Sequence, residues 1–114
     1  NSKNIRKVSS AATFKKALWV IGKNPQPLNS DYRTRKEQIK KEIAKGSLIS
    51  RARLIKNLYC KLRINRSFDE EITLEKLKKQ FINEWVVASN INVKTAQQKL
   101  DKALLKSAAK LKLE

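Results

Sequence analysis

The sequence predicts an all-α fold, a compact bundle of about five helices, on three observations. Glycine and proline together supply only four of the 114 residues, where roughly 12% is usual, and so few turn formers disfavour many short strands. Apolar residues recur with helical spacing in five separate stretches, and no strand-like alternation accompanies them. At 40% apolar content the chain can bury a modest core, unlike a disordered polycation. The length suits one domain.

Residues 1–8 read as an extended lead-in and 9–112 as a single helical domain. Ser9 and Ser10 are N-cap candidates for a first helix over about 10–22, with Phe14, Leu18 and Ile21 on one face and Gly22 at its end. The loop from Lys23 to Asn29 holds both prolines, Pro25 and Pro27. Ser30 is the expected cap of a second helix ending near Lys45, with Asp31 at its positive end and Gly46 as its C′ residue. Its apolar stripe is thin, Ile39 and Ile43, with Tyr32 and Lys36 on the same side. Arg33, Arg35, Lys40, Lys41 and Lys45 take the other faces. So polar a helix gains little from burial and needs a strong neighbour or another use.

A third helix, about 48–63, carries a clear stripe of Leu48, Ala52, Ile55, Tyr59 and Leu62. Arg51, Arg53, Lys56, Lys61 and Arg63 are assigned to its remaining faces. Ser67 and Glu70 match the capping box Ser-x-x-Glu at the start of a fourth helix, about 68–89. That helix buries Leu74, Leu77, Phe81, Trp85 and Ala88, and Asn90 to Asn92 break it. The fifth, about 93–112, uses Ala96, Leu100, Ala103, Leu104, Ala108 and Leu111.

Several function classes are excluded. With no His and one Cys there is no ordinary zinc or copper site and no His-based triad. One Cys cannot form an internal disulfide, and Cys60 reads as a small residue on a half-buried face. Gly22 and Gly46 alone cannot build a glycine-rich phosphate cradle. Asp69, Glu70, Glu71 and Glu75 crowd the first two turns of the fourth helix, where capping and dipole complementation account for them. No enzyme activity, catalytic residue, cofactor or metal is expected. The longest apolar run, Ala17 to Ile21, is too short for a membrane span, and no signal peptide is expected. A chain without Met is expected to be an excised domain or a processed product.

The net charge of +17 is unevenly spread: residues 1–30 carry +6, 31–66 carry +9, and 67–114 only +2. A uniform compositional bias would not spare the last 48 residues. The expectation is a polyanionic partner for the first three helices and a nearly neutral scaffold in the last two. The most suggestive point is Asp31-Tyr32-Arg33-Thr34-Arg35-Lys36, which opens the basic helix after the loop. A helix start offers free N–H groups and positive dipole charge to a phosphate, and an aromatic there can lie against a sugar or wedge at a base step. Spacing equally allows Tyr32 to pack on Ile39 and Ile43. A helix-turn-helix over Gln38 to Asn57 is disfavoured, since Glu42 stands where a small buried residue is needed and Lys41 and Lys45 where apolar ones are. Trp85 continues a core stripe, whereas Trp19 sits off its helix's apolar line and is expected half exposed.

These residues, in this order, resemble the C-terminal helical domain of the CarD/CdnL family of bacterial transcription regulators. The likeness runs from about Ile5 to Leu104. Ile5-Arg6-Lys7-Val8-Ser9-Ser10 is similar to the family's interdomain Arg-x-Val-x-Ser segment. Tyr32-Arg33-Thr34-Arg35 follows a helix and a polar loop, as the family's aromatic and clustered Arg do, and Gly46-Ser47 ends the basic helix. Leu54-Ile55-Lys56-Asn57-Leu58-Tyr59 matches the aliphatic-aliphatic-basic-Asp/Asn-Leu-aromatic string. Arg66-Ser67-Phe68-Asp69-Glu70 matches the Leu-Ser-x-x-Glu opening, with Arg66 in place of Leu.

The resemblance implies a DNA-binding domain that contacts double-stranded promoter DNA, through minor groove and phosphate backbone, at the upstream edge of the melted bubble. There it stabilises the RNA polymerase open complex, and polymerase itself is bound by a separate N-terminal module absent from this chain. The family's wedge Trp matches Tyr32, its Arg pair matches Thr34 and Arg35, and an aromatic after the pair matches Lys36. Phosphate contacts are then expected from Arg33, Arg35, Lys36, Lys40, Arg53 and Lys56. About five neutralised phosphates would give a log K against log salt slope near roughly −4 to −5. The protein so implied is a cytoplasmic, nucleoid-associated monomer with no membrane partner. A second reading is a small basic RNA-binding or ribosome-associated helical protein. A third is a protein-interaction module using the apolar flank of Trp19, Val20 and Leu28.

Overall fold

Five helices follow one another, α1 (Ala11–Ile21), α2 (Tyr32–Lys45), α3 (Leu48–Ile64), α4 (Phe68–Ser89) and α5 (Val93–Ala108). They are seen in a computed structural model that describes residues 11–26, 28 and 30–110. The expected all-α architecture is the observed one. The lead-in 1–8, the Ser9 and Ser10 caps, Pro27, Asn29 and Leu111 lie outside the described residues.

Local chemistry sets the helix ends. Asp31, not Ser30, caps α2: its backbone is extended and its carboxylate accepts from the Thr34 N–H. A charged acceptor suits the positive helix end better than a hydroxyl does. Gly46 closes α2 at φ 71°, a conformation that is inexpensive only without a Cβ. Ser47 then starts α3 by accepting from the Ser50 N–H. Asn90, at φ 53°, ends α4, and Asn92 caps α5 by accepting from the Thr95 N–H.

α3 is the centre of the bundle and packs against each of the other four helices. Its buried set therefore extends well beyond one stripe. Leu54, Leu58 and Cys60 are buried beside Ala52 and Ile55, and Arg51 and Lys56 are buried with them. The placing of Arg51 and Lys56 on open faces is thus corrected, and each has a compensating partner, as a buried cation must. Arg51 makes two bonds to Glu84, at 3.0 and 2.9 Å. The Lys56 ammonium donates to the Asn24 carbonyl at 3.2 Å. Burial raises the Cys60 thiol pKa, so Cys60 is an inert core residue.

Trp85 belongs to the core, as its stripe predicts. Its ring stacks on Phe14 at 6.1 Å between centroids, and Phe81 meets both edge-on, at 5.9 and 5.3 Å. Aromatic pairs of this kind contribute about 0.5–1.5 kcal/mol beyond their buried area. The triad ties α1 to α4.

α2 is held differently. Among the helices it packs closely only against α3. It buries Arg35 and Ile39, whereas Ile43 is 43% exposed. The inward side is therefore Arg35 and Ile39, not the expected Ile39 and Ile43. Among the described residues no helix is long and apolar enough to cross a membrane.

Candidate nucleic-acid interface

The loop between α1 and α2 is bound to α3 by two consecutive side chains. Lys56 reaches the Asn24 carbonyl, and the Asn57 side-chain oxygen accepts from the Gln26 N–H at 2.9 Å. The loop's far end is held by Arg35, whose Nη1 donates to the Ser30 carbonyl at 3.2 Å. Asp31 then caps α2, and Tyr32 is its first residue. Lys56 and Asn57 thus anchor the start of the loop that leads to Tyr32.

Tyr32 is not buried on Ile39 and Ile43; it is 42% exposed. Its hydroxyl donates to Asp69 Oδ2 on α4 at 3.3 Å, and the Arg35 guanidinium lies 5.5 Å from the ring centroid. The Asp69 carboxylate raises the phenol pKa, so the hydroxyl remains a donor. Asp69 and Arg35 thus hold a ring that stays partly exposed. Phe68, adjacent to Asp69 in sequence, is 78% exposed.

Behind the ring lies a buried ionic cluster. Arg35 Nε donates to Glu70 Oε2 at 2.5 Å, and the Lys61 ammonium donates to the other Glu70 oxygen. Burial pushes the Glu70 carboxyl up, but the hydrogen bonds from Lys61 and Arg35 outweigh it and leave the pKa below its ordinary value. The capping-box expectation is corrected here. Ser67 occupies the N-cap position without a side-chain cap bond, and Glu70 turns inward. Charge-assisted bonds to two cations are roughly twice as strong as neutral ones, so the cations win over the backbone N–H. The dipole reading of the other α4 carboxylates is likewise incomplete: Asp69 accepts from Tyr32, Glu71 pairs with Arg66, and Glu84 with Arg51.

The residues expected to contact a polyanion separate into two groups. Tyr32, Arg33, Thr34, Lys36 and Lys40 are exposed on α2, and Arg53 is exposed on α3. Arg33, Lys36 and Lys40 follow at i, i+3 and i+7, one row along the helix beside Tyr32. Arg35 and Lys56 are buried, with their charge used inside the protein. Burial lowers the Lys56 pKa, and the nearby Arg53 charge lowers it further. At the helix start the Asp31 carboxylate already takes the Thr34 N–H. The Thr34 N–H and hydroxyl both donate to Asp31 Oδ2 at 2.9 Å, and these bonds lower the Asp31 pKa. Sequence reasoning did not assign Asn57, Lys61, Asp69 or Glu70 to this site; Asn57, in the Leu54 to Tyr59 string, and Asp69 and Glu70, in the Ser-x-x-Glu opening, carried a motif signal, and Lys61 carried none.

A family model for the C-terminal domain of CarD matches residues 16–101. The chain belongs to the CarD family. The match starts in α1 and ends in α5, so the loop clamp, the Tyr32 region and the ionic cluster all fall within it. No curated protein matches the chain. As a CarD C-terminal domain the chain is a transcription-related protein.

Proposed function

We propose that this CarD domain contacts promoter DNA at the upstream edge of the transcription bubble and stabilises the RNA polymerase open complex, acting as a regulator and not an enzyme. A separate N-terminal module supplies the polymerase contact. The observation that carries this reading is the Tyr32 ring, exposed at the head of a cationic row and braced from behind by Asp69 and Arg35.

Tyr32 lies in the minor groove against a sugar or wedges at the last paired step. Unstacking one step costs a few kcal/mol, and least where the duplex already ends. Arg33, Lys36, Lys40 and Arg53 supply the phosphate contacts, with the Thr34 hydroxyl at the rim. Arg35 and Lys56 are positioning residues that hold Tyr32 and its loop. Phosphate contacts fix orientation without reading sequence, so binding is nearly sequence-blind. Four cations instead of six give a salt slope near roughly −3.6.

The test is the affinity for fork-junction and intact duplex DNA, wild type against Tyr32→Ala, over a salt series. Wild type should prefer the fork, and Tyr32→Ala should lose that preference while keeping the salt slope. Equal affinity in all four combinations refutes the wedge. Neutralising Arg33, Lys36 and Lys40 together to Gln should lower the slope by about 2.7.

A further inference from the structure

The basic surface does not end at α2. Along the chain residues 67–114 are nearly neutral, but in space their charges are sorted. The carboxylates of α4 are engaged: Asp69 by Tyr32, Glu70 by Arg35 and Lys61, Glu71 by Arg66, Glu75 by Lys78 and Glu84 by Arg51. α5 carries Lys99, Lys102 and Lys106, with Lys110 just beyond it, at i, i+3, i+7 and i+11. That spacing is one stripe, about 16 Å long. The carboxylate of α5, Asp101, is engaged by Lys78 and Gln97.

The stripe meets the end of α1 across a cleft of about 340 Å³, whose lining includes Trp19, Lys23, Lys99, Lys102, Lys106 and Lys110 and, among the described residues, no carboxylate. Its walls are fixed to each other. Ser107, fully buried, donates to the Lys23 carbonyl at 2.7 Å, and the Lys110 ammonium donates to the Gly22 carbonyl at 2.9 Å. Trp19 is 62% exposed, and the Lys23 ammonium lies 3.7 Å from its ring centroid. Among the described residues Lys23, Lys99, Lys102 and Lys106 have no carboxylate partner.

We propose that this α1–α5 cleft binds a single-stranded DNA segment, with Trp19 stacking on an unpaired base and Lys23, Lys99, Lys102 and Lys106 following the backbone. Two features select this occupant. A carboxylate-free row of ammonium groups complements a phosphodiester chain, and a lone exposed indole beside it offers a stacking platform, the combination that single-strand binding requires. A duplex keeps its base faces stacked and gives Trp19 nothing to cover. The cleft shares no residue with the Tyr32 site, and only the choice of DNA over RNA rests on the promoter reading.

The test is a fluorescence titration of the chain with a twelve-residue oligo(dT). Trp85 is buried against Phe14 and Phe81 and provides a constant background. Saturable quenching is expected, absent in Trp19→Phe, with a salt slope near roughly −2.8 for four cations on a single strand. Changing Lys99, Lys102 and Lys106 together to Gln should reduce the slope to about −0.7. Read by fluorescence anisotropy of a dye-labelled oligo(dT), Trp19→Ala should weaken binding roughly 5- to 150-fold, the equivalent of about 1–3 kcal/mol for one stacked base. Neutralising Arg33, Lys36 and Lys40 should leave the quench intact, so the cleft stands or falls separately from the fork site. No quenching, a quench indifferent to the three lysines, dependence on the α2 cations, or tighter binding of oligo(U) RNA would each overturn the proposal.

Discussion

Glu70→Gln tests how the Tyr32 platform is held. The Glu70 side chain is 6% exposed, with Arg35 at 7% and Lys61 at 14%. Gln keeps the shape but not the charge. Two buried cations then face each other around one amide, whose NH2 group must point at one of them. Removing one partner of a buried ionic cluster costs about 3–5 kcal/mol, a large share of the roughly 5–15 kcal/mol that holds a domain together. Because α2 packs closely only on α3, α2 should loosen first, as a low-stability unit. Urea unfolding at pH 7 should show the full deficit, and amide exchange should quicken most in α2.

The sign with pH follows from the lowered Glu70 pKa. A carboxyl with a folded-state pKa below its unfolded one contributes stability above the unfolded value, and loses it as pH falls through the folded value. The wild-type advantage over Glu70→Gln should therefore be fully present at pH 7 and shrink below about pH 4. A deficit under about 1 kcal/mol at pH 7, or one that does not shrink in acid, would refute the clamp. Replacing Arg35, Lys61 and Glu70 together by apolar residues of similar size should be far milder than Glu70→Gln alone.

Two further changes separate stability from binding. Asp31→Ala removes the α2 cap and should cost about 1 kcal/mol by thermal or urea unfolding. It also removes a carboxylate beside the cation row, so fork affinity at low salt should rise by up to about fivefold; a fall in both would show that Asp31 serves the DNA contact. Asn57→Ala leaves the Gln26 N–H without its acceptor and should cost about 1 kcal/mol. Fork preference should drop with the fold intact by circular dichroism, because the loop that delivers Tyr32 is loosened, and unchanged preference would sever that link.

Most of the fold was legible in the sequence. Helical spacing and end signals such as Gly46, Ser47 and Asn92 place the helices close to their observed ends, except that α5 stops at Ala108 and not near 112, and the Phe14, Phe81 and Trp85 positions identify the core. What periodicity cannot reveal is the partner on the far side of a face. Ser67 and Glu70 have the spacing of a local cap, yet Glu70 answers to cations on α2 and α3. Arg51 and Lys56 look like surface residues until α3 is surrounded by four helices. Counting charge along the chain made α4 and α5 a neutral scaffold. The count averaged engaged carboxylates on one helix with an open lysine stripe on the next. The exposed Tyr32 ring was one of two arrangements that the spacing allowed, and the hydroxyl's partner, Asp69, comes from a helix with no sequence signal for it.

The most direct test of the central claim reads the DNA at the point where Tyr32 is proposed to act. With 2-aminopurine at the last paired step of a promoter fork, saturating wild-type protein should raise its fluorescence as that base unstacks. Tyr32→Phe should keep most of the rise, since the flat ring remains, and Tyr32→Ala should bind without it. No rise at saturation, or an equal rise with Tyr32→Ala, would contradict the account.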